Sequence, residues 1–258
     1  MFDPALWFEA LAALLGVAVA GWLVSLPLRN VSIVDSLWSL KFLLCGLLYV
    51  VAQAHPGPRG YLVLALLAVW SLRLAGHITW RNRGHGEDRR YQEIRRNNEP
   101  GFAWKSLYIV FGLQALLAWI ISLPLLGAAT GQAALGPLDA LGAAVWLVGF
   151  VFEAGGDLQL ARFKAQPTNA GRVMDRGLWR YTRHPNYFGD FCIWWGFYAF
   201  ALANGAWWSV PGPLLMSLLL MRVSGVTLLE RDIGERRPQY AEYVRRTAAF
   251  FPARPRPQ

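Results

Sequence analysis

Ionisable side chains recur inside stretches of this sequence that are otherwise apolar, and they recur at helical spacing. Asp35 is followed three residues on by Trp38. Arg73 and His77 stand four apart, Glu153 and Asp157 stand four apart around Gly155 and Gly156, and Asn186 and Asp190 repeat the offset. Residues four apart share one helical face. A charge inside an apolar span costs a few kcal/mol on insertion scales, which makes each one a functional candidate. Two chemistries are open: ion pairs that hold a bundle together, such as Arg73 with Asp157 or Glu153, or a polar pocket that binds a ligand. Their gathering at one end of the apolar runs favours the pocket. Lys41 is expected to snorkel its ammonium out of its span.

The ligand chemistry is written most densely between residues 162 and 190. Arg162, Lys164 and Arg172 precede Gly177-Leu178-Trp179-Arg180-Tyr181-Thr182-Arg183-His184-Pro185-Asn186-Tyr187-Phe188-Gly189-Asp190. Arginine forks mixed with aromatic rings, Asn and Gly at the start of a helix suit an aromatic ligand that carries phosphate. A nucleotide is the simplest such ligand, and anionic lipid headgroups are a possible sink for some of the cations. The tail repeats the pattern with Glu230, Arg231, Tyr240, Tyr243, Arg245 and Arg246. Arg89-Arg90-Tyr91 reads equally as a cofactor contact or an interfacial anchor. No Gly-x-Gly-x-x-Gly, Walker loop, Gly-x-Ser-x-Gly or His-Glu-x-x-His is present. The four histidines lack metal-ligand spacing, so no metal is expected.

The elements that must position these groups follow from composition. Of the 258 residues, 55% are hydrophobic and only 16% charged, against about 45–50% and 25% for soluble domains. Disorder, collagen-like repeats and a disulfide scaffold are excluded; Cys45 and Cys192 read as small buried hydrophobes. Apolar runs long enough to cross a bilayer cover about 6–28, 32–52, 61–80, 107–128, 138–160, 187–203 and 207–229. Of 25 cations, 20 lie in residues 81–105, 162–183 and 231–256. With seven spans these three stretches share one side, and basic loops stay cytoplasmic. The expectation is therefore an all-α polytopic membrane protein, a single domain of seven transmembrane helices, with its N-terminus outside and its C-terminus cytoplasmic. The net charge of +9 belongs to topology and a ligand site, and nucleic acid is not expected as a partner.

The stretch 177–190, followed by a Trp-rich span, resembles the C-terminal region of membrane steroid 5α-reductases. The bacterial branch of that family is resembled further by Ile33-Val34-Asp35-Ser36-Leu37-Trp38, Trp70-Ser71-Leu72-Arg73-Leu74 and Asp88-Arg89-Arg90-Tyr91. The likeness runs from about residue 30 to the C-terminus. It implies seven transmembrane helices holding NADPH among spans 2–7 from the cytoplasmic side. Position by position, Asn186 matches a contact to the nicotinamide amide, Arg73 one to the diphosphate, and Lys164 a phosphate contact that is usually Arg. Asp157 and Asp190 match carboxylates near the cofactor. Glu153, Arg172, Arg183, His184, Tyr187, Glu230 and Tyr240 complete the implied cofactor contacts. Asp35 matches an acidic residue that reaches the substrate ketone, although Val34 replaces the Gln that precedes it in the animal enzymes. Trp70 falls near a Tyr that faces the same ketone.

The chemistry implied is reduction of the C4–C5 double bond of a 3-oxo-4-ene steroid. Hydride adds at C5, the developing enolate is stabilised at O3, and a proton adds at C4. Asp35, in apolar surroundings, is expected to stay neutral and donate a hydrogen bond to the ketone. Asp35 and Trp70 are thus the catalytic candidates, with Trp38, Trp70 and Trp119 as walls for a steroid or steroid-like enone arriving from the bilayer. A bacterial inner membrane is the expected location. The competing readings are an S-adenosylmethionine-dependent membrane methyltransferase of the isoprenylcysteine or phospholipid type, and a non-enzymatic transporter or receptor.

Overall fold

A computed structural model describes residues 2–223 and 239–256. Among these residues the chain is all-helical, with no strand and one isolated bridge between Thr182 and Ala248. Two compact units divide it: Met1–Gly136 with Phe200–Pro211, and Pro137–Ala199 with Gly212–Gln258.

In the first unit, α1 (Pro4–Leu28) starts where the Asp3 side chain accepts from the Leu6 amide at 3.1 Å and proline takes the first helical position. Both are standard helix-start chemistry. It ends at Arg29, which adopts a left-handed backbone with φ 48°. Helix α2 (Ile33–Val51) and α3 (Pro58–Asn82) are joined by reciprocal serine bonds. Ser39 Oγ donates to the Ser71 carbonyl at 2.9 Å and Ser71 Oγ to the Ser39 carbonyl at 2.7 Å. Small hydroxyl residues of this kind let helix backbones approach closely in lipid. Trp7 and Trp119 stack with centroids 3.8 Å apart, and each indole N–H donates to the other's carbonyl. Trp119 therefore staples α1 to the fourth run.

That fourth run is not one helix over 107–128. It begins earlier, as α5 (Phe102–Ser106), passes through a π-helical turn at Leu107–Gly112, and continues as α6 (Leu113–Ile121). Ser122 then ends it, and Pro124 opens a separate α7 (Leu123–Ala129). Between α3 and α5 lies α4 (Arg89–Asn98), a short charged helix.

The second unit is built on α8 (Pro137–Lys164) and α9 (Pro185–Ala203, of which 185–199 belong here). Gly142, Gly149 and Gly156 recur every seven residues on α8, facing Gly189 and Gly196 on α9. A Cβ on Gly149 would sit 2.5 Å from the Gly189 carbonyl oxygen and 2.8 Å from the Ile193 amide nitrogen. The seam is as close as two helix backbones can come, and only glycine permits it. Then follow α10 (Pro211–Leu218), a π-helical turn at Leu219–Val223, and α11 (Tyr240–Arg246).

Among the described residues, five helical stretches are long and apolar enough to cross a membrane: Pro4–Leu28, Ile33–Val51, Pro58–Asn82, Phe102–Ile121 and Pro137–Ala165. The chain is an integral membrane protein on that ground. The sixth expected span is helical within α9, but Asn186, Asp190, Tyr187 and its tryptophans keep it below that apolar standard. The seventh, 207–229, opens with the short turn Trp207–Ser209 and α10, and from residue 224 it lies outside the described residues, as does Glu230. Cys45 and Cys192 are both buried and unbridged.

Candidate functional site

In the first unit the polar chemistry centres on Asp35, in the first turn of α2. The loop before α4 is fastened to the α1–α2 turn. The Val31 amide donates to Glu87 Oε1 at 2.9 Å, and the Asp88 amide donates to Ser32 Oγ at 2.7 Å. Arg95 grips Glu87 with Nε and Nη2, both at 2.8 Å, and lies over the Phe102 ring. The Asp88 side chain caps α4 by accepting from the Arg90 amide at 2.9 Å. So fixed, α4 delivers two residues to Asp35. Arg90 Nη2 donates to Asp35 Oδ2 at 2.8 Å, and the Tyr91 hydroxyl donates to Asp35 Oδ1 at 2.5 Å.

The network continues inward. Gln114 Nε2 donates to the Tyr91 oxygen at 3.2 Å, and Lys41 Nζ donates to Gln114 Oε1 at 3.1 Å. Lys41 is 1% exposed, so it does not snorkel. It sits on the face of α2 that packs inward, where its ammonium finds one amide and lies over the Trp38 ring, whose centroid is 5.9 Å away. Asp35 also differs from expectation. Its surroundings are not apolar: a guanidinium and a phenol both donate to it, so the carboxylate is an acceptor rather than a neutral donor.

Electrostatics outside the spans agree with this geometry. Burial, and then the charge of Asp35, push the Tyr91 hydroxyl well above its ordinary range, so the phenol stays protonated. Burial works against the Arg90 charge, but Asp35 and Asp88 outweigh it and hold the guanidinium charged. Burial likewise works against the Glu87 and Asp88 charges. The Arg95 and Arg90 hydrogen bonds prevail, and both carboxyls sit below their usual range.

Of the aromatic candidates, Trp70 is a core residue and Trp38 is half-buried. Trp38 meets Phe42 edge-on at 5.1 Å, and Trp70 is fully buried with its ring 5.9 Å from Phe42. Arg73 is partly buried on α3.

In the second unit the Gly seam brings the start of α9 against α8. Asn186 Nδ2 donates to Asp157 Oδ1 at 3.2 Å. Glu153 is 3% exposed and Asp190 8% exposed. His184 is buried, with its ring stacked on Tyr187 at 5.7 Å. The turn Gly177–Arg180 is pinned to α8: Trp179 Nε1 donates to the Gly156 carbonyl at 3.0 Å, and the Leu178 amide to Gln159 Oε1 at 2.9 Å. Lys164 and Arg172 are exposed. Arg183 is only 9% exposed, and its Nη1 donates to the carbonyls of Thr247 and Val244 at 2.8 and 3.3 Å. It clamps the C-terminal end of α11. Tyr240 is buried against Tyr243, whose hydroxyl donates to the Trp179 carbonyl.

Comparison with known proteins matches a family model, described as a protein of unknown function, DUF1295, to residues 21–247. The chain belongs to the DUF1295 family. That family is linked to steroid 5α-reductase-like membrane proteins. A relative in Schizosaccharomyces pombe, the uncharacterized protein C594.04c, is 28% identical over 267 residues, covering 90% of this chain and 75% of its own. No solved structure matches the chain.

Within this DUF1295 protein, sequence reasoning finds Asp35 but not its partners. In sequence Arg90 and Tyr91 read equally as a cofactor contact or an interfacial anchor, Lys41 reads as a snorkelling residue, and Gln114 carries no signal. A single Tyr in the charged run 89–98 is the signal that marks α4 as having an inward face.

Proposed function

We propose that this protein is an NADPH-dependent reductase of the C4–C5 double bond of 3-oxo-4-ene steroids or enones of similar shape. It is read as a bacterial-branch relative of the steroid 5α-reductases, with seven spans, an external N-terminus and a cytoplasmic C-terminus in the inner membrane. The observation that carries the reading is the buried Tyr91 hydroxyl held on the Asp35 carboxylate, itself held by Arg90. An enone reductase needs a neutral O–H aimed at a carbonyl oxygen as negative charge develops there. Tyr91 supplies one, Asp35 orients it, and Arg90 keeps Asp35 in place. In this arrangement Asp35 is a positioning residue, and the hydroxyl that meets the ketone is the phenol's.

The second unit's residues fit the nucleotide by the chemistry of their donors. Asn186, oriented by Asp157, presents a carboxamide complementary to the nicotinamide amide. His184 and Tyr187 offer stacked rings, and the neighbouring arginines suit phosphate. NADPH, when bound, supplies the hydride that adds at C5. Trp38 and Trp70 remain the proposed apolar walls for the substrate.

The test is direct. Purified protein given NADPH and progesterone or testosterone is expected to form the saturated 5α product. Tyr91→Phe and Asp35→Asn are each expected to lower kcat about a hundredfold, the scale of losing an oxyanion donor. If wild type oxidises no NADPH with any steroid enone, the reading is wrong. Methyl transfer from S-adenosylmethionine would replace it with the methyltransferase reading.

A further inference from the structure

The C-terminal segment is folded back on the turn before α9 by a set of backbone and side-chain bonds. The Arg183 amide donates to the Ala248 carbonyl at 2.9 Å, the Ala253 amide to the Tyr181 carbonyl at 3.0 Å, and Thr182 Oγ1 to the Phe250 carbonyl at 2.8 Å. The Arg256 amide donates to the Arg246 carbonyl at 3.0 Å, closing residues 246–256 into a ring. Inside this ring is a hollow of about 190 Å³. Arg183, Arg245, Arg246, Arg254 and Arg256 all line it, and among the described residues no acidic one does.

Five arginines at the wall of one small hollow concentrate positive charge there, and an anion in the hollow would relieve it, because like charges at close range repel. Among the described residues, two carboxylates answer part of this charge. Asp175 and Glu242 both engage Arg246, at 3.3 and 3.6 Å. Arg183 is 9% exposed and spends Nη1 on two carbonyls, which fixes its position at the wall. Among the described residues, the side chains of Arg245, Arg254 and Arg256 have no partner. They are exposed, yet the Arg245 backbone is held in α11 and the Arg256 amide is tied to the Arg246 carbonyl. Arginines carried on separate parts of one ring suit the several oxygens of a tetrahedral anion better than a planar carboxylate.

We infer that this arginine-lined hollow is a binding site for a phosphate monoester. The dianion has enough oxygens to take donors from several forks at once. Two sources share that chemistry: the 2′-phosphate of a nucleotide and the headgroup of a phosphatidate lipid. The inference does not depend on the reductase reading, since it concerns binding and can be measured without turnover.

The experiment uses the full-length protein in phosphatidylcholine nanodiscs. Titration calorimetry with 2′,5′-ADP and with 5′-AMP tests the nucleotide source. Thermal midpoints in discs with and without phosphatidate test the lipid source. Three variants are compared with wild type: R254Q/R256Q, R245Q, and R254K/R256K, which keeps the charge but loses the forks. Tighter binding of 2′,5′-ADP than of 5′-AMP, weakened about tenfold or more in R254Q/R256Q, is the result expected for a nucleotide. A phosphatidate-dependent rise in midpoint that R254Q/R256Q removes is the result expected for the lipid. R254K/R256K is expected to restore part of either effect, and added salt to weaken it. The inference is overturned if wild type responds to none of the probes. It is also overturned if R254Q/R256Q and R245Q respond as wild type does. Should R254Q/R256Q fail to fold, R245Q at an exposed position decides the matter by the same two readouts.

Discussion

Removing the phenolic oxygen of Tyr91 tests whether the Asp35 network is a physical unit. Tyr91 is 7% exposed and the Asp35 side chain 15%. Tyr91→Phe deprives Asp35 of its 2.5 Å donor and Gln114 of its acceptor. A hydrogen bond to a charged group contributes about 1.5–3 kcal/mol and a neutral one about 1 kcal/mol, so the loss is about 2–4 kcal/mol. Arg90 contributes less to the balance. Its side chain is 38% exposed and keeps Asp88 at 3.0 Å, so solvent screening holds its pair with Asp35 to about 1 kcal/mol or below. Asp35→Ala removes both acceptor oxygens. In a double-mutant cycle with Tyr91→Phe the coupling is expected at about 1.5–3 kcal/mol. The buried thiols of Cys45 and Cys192 provide the assay, because a thiol-reactive dye reports unfolding when they become accessible. At this chain length 1 kcal/mol moves the midpoint by about 2–4 °C, so Tyr91→Phe should lower it by roughly 4–16 °C. Coupling below about 0.5 kcal/mol, the range of independent sites, would refute the network.

Two further outcomes follow from the same unit. Lys41→Met removes an ammonium that is 1% exposed and has a single amide for a hydrogen-bond acceptor; replacing a buried ion by an apolar side chain of similar volume is often neutral or stabilising by about 1–4 kcal/mol. The thermal midpoint should hold or rise, and a fall of several degrees would show that the ammonium supports the fold. The second outcome concerns acid. Glu87 and Asp88 have folded-state pKa values below their ordinary 4.5 and 3.8, so they stabilise the fold above that range, and the contribution is lost as pH falls through the depressed values. Thermal midpoints measured from pH 7 down to pH 3 should fall less steeply in Glu87→Gln than in wild type, and parallel curves would contradict the assignment.

What the sequence reveals depends on the range of the interaction that fixes each feature. Apolar runs are local, so α1, α2, α3 and α8 stand close to where periodicity and length put them. The fourth run differs because Ser122 and Pro124 act as punctuation inside unbroken apolar text. The seam of Gly142, Gly149 and Gly156 is written at a seven-residue period, so it is readable in principle, although in sequence Gly155-Gly156 stands out for the carboxylates beside it. Asp35 stands out as an acid in apolar text. Its partners do not, because Arg90 and Tyr91 lie 55 and 56 residues away. In sequence they look like any basic loop that obeys the positive-inside pattern. Arg183 shows the converse: its place in a ligand-like motif points to a cofactor, while its Nη1 holds the end of α11.

The division of labour at Asp35 follows from which atoms carry protons. Asp35 accepts from a guanidinium on one oxygen and from a phenol on the other, so neither oxygen is turned towards a ketone as a donor. A phenol buried beside that negative charge keeps its proton, and so remains a neutral donor. The acidic residue in the first turn of α2 is the conspicuous one in sequence, whereas the reacting hydroxyl in the proposed chemistry comes from a helix outside the spans. A substrate oxygen reaching Tyr91 would compete with Asp35 for one proton, and Asp35 would retain Arg90 when it lost the phenol. That retained ion pair lowers the cost of the exchange, because no buried charge is left without a partner. Arg90 thus matters most at the moment the phenol turns away, which a static count of its hydrogen bonds does not reveal.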